Sequence, residues 1–173
     1  ITGKIEGYST NIGESFARAA VDDIVIDDQV MYMSAISGDG RFQLKIKLYQ
    51  QQTFYFLYGN QSVTVFAKPG DSIHLSFPAF AFMSEAEDTL SEDYVAFGGS
   101  EREMNTLIAA YASKSYRLES EFFKENSKPE NWECGKYKRL LDNHKEARFS
   151  ILQQFLEERK NAPESFKRWA AAD

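Results

Sequence analysis

The chain has 173 residues, 43% hydrophobic and 14% aromatic, which is enough apolar side chain to bury a core and excludes a disordered polypeptide. A net charge of −6 and a pI near 5.1 argue against a nucleic-acid surface, where Lys and Arg must outnumber acids to neutralise phosphates. The balance shifts along the chain: residues 1–100 carry 6 Lys and Arg against 13 Asp and Glu, and residues 101–173 carry 14 against 13. That shift coincides with a change from strand to helix patterning.

No apolar run is long enough to cross a bilayer, and no charged-then-apolar leader is present. The chain opens at Ile1 and stops at Ala170-Ala171-Ala172-Asp173 inside a helical pattern, so both ends are expected to be cut, with a signal segment removable before residue 1. The single cysteine, Cys134, permits neither an internal disulfide nor a Cys-x-x-Cys pair. It lies near a helix start, but no His or Asp sits beside it as a base, and an incidental thiol is the simpler reading.

Ile1 to Gly7 alternates weakly and reads as a first strand. After a loop containing Asn11 to Glu14, the β-branched segment Asp23-Ile24-Val25-Ile26-Asp27 reads as a second, and Val30 to Ser37 as a third. Ser37-Gly38-Asp39-Gly40 then supplies the residues of a tight hairpin turn. The clearest strand follows, because Phe42, Leu44, Ile46 and Leu48 alternate with Arg41, Gln43, Lys45 and Lys47, placing four apolar side chains on one face. Thr53 to Tyr58 is continuously apolar or aromatic and predicts a central strand covered on both faces. Gly59-Asn60 turns into a strand over residues 62–66. At Pro69-Gly70-Asp71 a type II turn is expected, and Ile73, Leu75 and Phe77 then point one way and Ser72, His74 and Ser76 the other.

Residues 78–93 form an acidic connection, with Tyr94 to Phe97 a last strand. Ser100 with Glu103 is the pattern of a capping box. From Met104 the period is helical, with Leu107, Ile108, Tyr111, Leu118 and Phe122 on one stripe, until Ser127-Lys128-Pro129 breaks it. A second helix over residues 135–161 carries Tyr137, Leu140, Leu141, Ile151, Leu152, Phe155 and Leu156, and Pro163 opens a third with Phe166 and Trp169. The expected fold is α+β. An antiparallel β-sandwich over residues 1–99, an immunoglobulin-like or jelly-roll-like meander, precedes a C-terminal α-helical hairpin in residues 100–173.

Asp71, Ser72 and His74 suggest a hydrolase, yet Ser72 and His74 are near neighbours in one strand pattern and no Gly-x-Ser-x-Gly elbow is present, so ordinary strand and turn roles are favoured. His144 falls in a helical stripe as a core or edge histidine. Two histidines and one cysteine make a metal cluster of those ligands improbable. Asp22, Asp23, Asp27 and Asp28, and Glu85, Glu87, Asp88, Glu92 and Asp93, offer oxygen ligands without calcium-loop spacing, and solvated edges are the better account. Tyr49, Tyr55 and Tyr58 could stack on sugar rings or on a partner protein. No catalytic, cofactor-binding or metal residue is assigned, and no cofactor is expected.

The signals occur in a distinctive order: Gly3-Lys4-Ile5-Glu6-Gly7, Asp39-Gly40-Arg41-Phe42, Lys68-Pro69-Gly70-Asp71-Ser72-Ile73, then Phe97-Gly98-Gly99-Ser100 leading to Asn105 and a helical pair. Over essentially its whole length the chain resembles the N-terminal domain, of unknown function, that precedes the thioredoxin domain of exported TlpA/ResA-like thiol-disulfide oxidoreductases. The resemblance implies a non-catalytic accessory or interaction domain serving docking, spacing or substrate selection, with a protein substrate or its own C-terminal thioredoxin domain as partner. It also implies a cell-envelope setting, periplasmic or lipid-anchored after signal removal. No redox residue carries over, because no position matches the family's Cys-x-x-Cys. The alternative is a glycan- or peptide-binding β-sandwich module of the cell envelope.

Overall fold

The computed structural model describes residues 1–11, 14–83, 94–128 and 132–172. The fold is α+β and contains two four-stranded, mainly antiparallel sheets with helices following; neither sheet closes into a barrel. The strands are β1 (Thr2–Glu6), β2 (Phe16–Asp23), β3 (Asp28–Ala35), β4 (Arg41–Gln43), β5 (Gln52–Tyr58), β6 (Gln61–Ala67), β7 (Ile73–Pro78) and β8 (Ala96–Gly99). The helices are α1 (Ala79–Met83), α2 (Arg102–Asn126), α3 (Cys134–Glu158) and α4 (Glu164–Ala172). The chain divides into two compact units, residues 1–109 and 110–173.

One sheet runs β4-β1-β7-β8 and the other β3-β2-β5-β6, and among the described strands only β1 with β7 is parallel. The expected meander is therefore not followed. Consecutive strands pair as β2–β3, β5–β6 and β7–β8, while the chain changes sheet at the other turns. The Ser37–Gly40 turn forms, with Gly40 N–H donating to Ser37 O and Ser37 N–H to Arg41 O, both at 2.8 Å. It is not a hairpin between paired strands, because β3 and β4 belong to different sheets. Lys68 to Asp71 makes the same kind of change, with Gly70 at φ 90° and Asp71 N–H on Lys68 O at 3.1 Å.

Of the segment Asp23–Asp27, Asp23 ends β2 and residues 24–27 are a turn and not a strand. Asp23 Oδ1 accepts the Val25 N–H at 2.8 Å, Asp27 takes φ 53°, and Ile24, Val25 and Ile26 are each 60% or more exposed. β-branched residues favour strands chiefly by packing on a pleated surface, and here the flanking aspartates stabilise the turn instead. The strand is the preceding alanine-rich stretch, whose Ala17, Ala19 and Val21 face inward. The alternation of Phe42, Leu44, Ile46 and Leu48 survives as alternating burial, but the strand itself is Arg41–Gln43, paired with Thr2–Lys4 of β1 and followed by the two bonds between Ile1 and Leu44. β5 is central as expected, though covered on one face: Phe54, Phe56 and Tyr58 are buried and Tyr55 is exposed.

The core of the first unit draws on both sheets. Phe77 is its hub, with ring centroids 4.1 Å from Phe82, 5.7 Å from both Phe56 and Tyr58, and 6.4 Å from Phe42. Burial of each such side chain stabilises by about 1.5–3 kcal/mol, and paired rings add roughly 0.5–1.5. Phe82 reaches this cluster because Ala79–Met83, within the expected connection, forms a short helix.

The capping box is replaced by strand bonding. β7 and β8 pair up to Ile73 with Gly99, and beyond them Ser100 N–H donates to Ser72 O at 2.8 Å while Ser100 Oγ accepts the Ser72 N–H at 3.1 Å. α2 then starts past Glu101 at φ 54°, whose carbonyl accepts the Asn105 N–H at 2.9 Å.

In the second unit Tyr111 meets Phe155, Phe166 and Trp169 edge-on at 5.6–6.4 Å. Lys114 pairs with Glu158, and Glu119 lies against His144 and Arg148. Of the apolar stripe expected on α3, Leu152 and Phe155 are buried, whereas Tyr137 and Leu141 are exposed. Pro163 O receives the N–H groups of Phe166 and Lys167 at the start of α4. Pro129 lies outside the described residues, and no helix among those described is long and apolar enough to cross a membrane.

Candidate interaction surface

The polar residues singled out in the sequence hold turns and strands. Asp71 Oδ2 accepts the Lys68 N–H at 2.7 Å, which fixes the turn, and the Ser72 backbone is bonded to Ser100. His74 points outward from β7, with Nδ1 3.2 Å from Thr2 Oγ1. Asp71, Ser72 and His74 are thus not brought together as a triad, which would need base and nucleophile in hydrogen-bond reach. His144 stacks on Phe122 at 4.1 Å and sets Nε2 3.2 Å from Glu119 Oε2, so it joins two helices of the second unit. Cys134 is exposed at the first residue of α3.

Asp23 and Asp28 spend carboxylate oxygens on local N–H groups, and Asp22 accepts from Gln29 Nε2 at 3.0 Å. Among the described residues no group of three or more His, Cys, Asp or Glu side chains converges as a metal site; Glu85, Glu87, Asp88, Glu92 and Asp93 lie outside them.

Two surfaces of the first unit stand out among the described residues. On the outer side of the β4-β1-β7-β8 sheet an open trough of about 730 Å³ is bordered by Thr2, Lys4, Arg41, Gln43 and His74, and by Ser34 and Ala35 of β3. Arg41 is ion-paired to Asp39 at 2.8 Å. The Asp39 carboxyl is held below its ordinary value, first by the Ser37 hydroxyl at 2.6 Å and further by Arg41.

The other surface is the outer face of the β3-β2-β5-β6 sheet. Register places Phe16 beside Ala35, Arg18 beside Met33 and Leu57, and Ala20 beside Met31 and Tyr55. Met33 is 57% exposed, Tyr55 49%, and Phe16 and Met31 47% each, so four large apolar side chains stand half in water on one face. Arg18 lies among them, its Nη2 bonded to the Glu14 carboxylate at 2.8 and 3.0 Å. Of the three tyrosines proposed for stacking, Tyr55 is on this face, Tyr49 is exposed beside Lys47, and Tyr58 belongs to the core. The face was missed in the sequence because Phe16–Asp23 carries alanines in place of β-formers. The alternation of Met31 and Met33 was the available signal.

Comparison with known proteins found no matching family model, no similar curated protein and no similar solved structure.

Proposed function

We propose that this chain is a non-catalytic accessory module of an exported thioredoxin-like thiol-disulfide oxidoreductase, and that it docks protein partners or substrates. The observation that carries this reading is the exposed apolar face of Phe16, Met31, Met33 and Tyr55. Exposed apolar patches on a folded unit mark interaction sites, and methionines adapt to varied partners. The resemblance supplies the oxidoreductase setting and the cell-envelope location.

Supporting the same reading, the residues that carry the resemblance meet as packing and turn constraints. Gly3 pairs with Phe42 and Leu75, Phe97 with Leu75, and Gly99 with Ile73, while Asn105 bonds the backbone of Phe66. A Cβ on Gly3 would collide with the Phe42 ring, and one on Gly99 with the Ser72 carbonyl. We read the two sheets as the layers of a β-sandwich, supported by the Phe42–Phe56 stack at 5.2 Å between them. We read α2 and α3 as a hairpin, supported by the pairs Tyr111–Phe155, Lys114–Glu158 and Glu119–His144, whose numbers run in opposite directions.

The test joins this chain ahead of a thioredoxin-fold oxidoreductase and compares kcat/KM for protein disulfides and for a small disulfide. The reading expects a change for protein substrates only, reversed by Phe16→Ser with Tyr55→Ser. Identical kinetics with and without the module would overturn it.

A further inference from the structure

The two sheets present four edges. β4 has three residues and β8 four, too short to template another strand. β6 is longer, but Asn105 occupies its backbone at Phe66, accepting the N–H at 2.7 Å and donating to the carbonyl at 3.0 Å. β3 differs from all three. Its eight residues pair with β2 without interruption from Asp28 to Ala35, so no bulge twists it away, and its sequence contains no Pro, Lys or Gly. Among the described residues no strand pairs with its other side. The chain crossing from β4 to β5 approaches it through the Tyr32 hydroxyl, 3.5 Å from Lys47 O, which is a side-chain contact.

We propose that β3 pairs with β3 of a second copy of this chain, antiparallel about a two-fold axis at Tyr32, joining two four-stranded sheets into one of eight strands. Such an isologous contact closes on itself. The outward methionines favour this occupant: centred on Tyr32, Met31 of one copy lies beside Met33 of the other, and the apolar face continues across the axis.

Charge favours the same occupant and fixes the direction. The β2–β3 tip carries Asp22, Asp23, Asp27 and Asp28, whereas Ser34 and Ala35 at the far end border the trough holding Lys4 and Arg41, the latter ion-paired to Asp39. Antiparallel pairing sets the acidic tip of each copy toward Lys4 and Arg41 of the other. Parallel pairing would set like charge against like. This self-complementarity concerns association of the chain with itself and is independent of the accessory role.

Sedimentation equilibrium over a concentration series, with hydrogen exchange at its two ends, tests the proposal. A dimer is expected whose formation slows exchange in residues 28–35. Met31→Lys with Met33→Lys, which sets ammonium groups side by side across the axis, should raise the dimer Kd at least about tenfold. Both side chains face solvent, so an unchanged thermal midpoint at low concentration confirms the fold of that variant. Asp28→Lys and Arg41→Glu should each weaken the dimer and together restore it. A monomer at every concentration, a dimer indifferent to the lysines, protection that spares residues 28–35, or a monomer that takes up an added extended peptide along β3 would each overturn the proposal.

Discussion

Replacing Asn105 by alanine should cost far more than an average helix substitution. The side chain is fully buried and serves two elements: it accepts the Phe66 N–H at 2.7 Å and donates to Phe66 O at 3.0 Å and Glu101 O at 3.1 Å. Alanine leaves the Phe66 N–H and C=O on β6 without their partner. Each abandoned polar group costs about 1–3 kcal/mol, so a loss of about 2–6 kcal/mol is expected, a large part of a domain's total stability. Asn105→Asp sharpens the test. It keeps an acceptor for Phe66 N–H but turns anionic oxygen toward two carbonyls, so its carboxyl pKa should rise in the folded state. The variant should then be most stable relative to the parent at low pH and lose that stability as pH rises through the raised value. Urea denaturation followed by far-ultraviolet circular dichroism measures both. A loss below about 0.5 kcal/mol for the alanine variant, within the range of ordinary surface changes, would refute the reasoning.

Three further changes probe the first unit. The Tyr58 hydroxyl is buried without a hydrogen-bond partner among the described residues, and burial pushes its pKa up; Tyr58→Phe should therefore hold or raise stability, by up to about 1 kcal/mol in a thermal melt. Gly99 sits at φ 77° with Ser72 O where a Cβ would be, so Gly99→Ala should lower stability by about 2 kcal/mol or more, read as a shift of the urea midpoint. The lowered Asp39 pKa means that its turn bonds contribute above the ordinary value of 3.8 and are lost as pH falls through the depressed value. Asp39→Asn should flatten that part of the pH–stability profile, and an unchanged acid limb would count against the Ser37–Arg41 turn as described.

Much of the strand content was legible because it depends on local rules. Gly59 at φ 57° supports the β5–β6 hairpin, and Ile73, Leu75 and Phe77 alternate inward as their spacing predicts. What failed to show depends on partners distant in sequence. Nothing local tells a turn between paired strands from a turn between sheets, and Ser37–Gly40 and Lys68–Asp71 are both of the second kind. Ser100 satisfies a capping pattern, yet Ser72 claims its polar groups first. Alanines make β2 a strand because Phe56 beside Ala19 and the larger side chains of the shared core supply the bulk, which intrinsic propensity does not register. The apolar outer face emerges only once register sets Phe16, Met31, Met33 and Tyr55 on one side.

In the proposed accessory role this chain engages partners and carries no redox chemistry of its own. Dithiol-driven reduction of a protein disulfide by the isolated chain, compared with its Cys134→Ser variant, tests it most directly. A dithiol exchange cycle needs two sulfurs, and Cys134 is the only cysteine in these 173 residues. The account predicts a rate equal to the uncatalysed background for both proteins. Turnover above background that disappears in Cys134→Ser would contradict it.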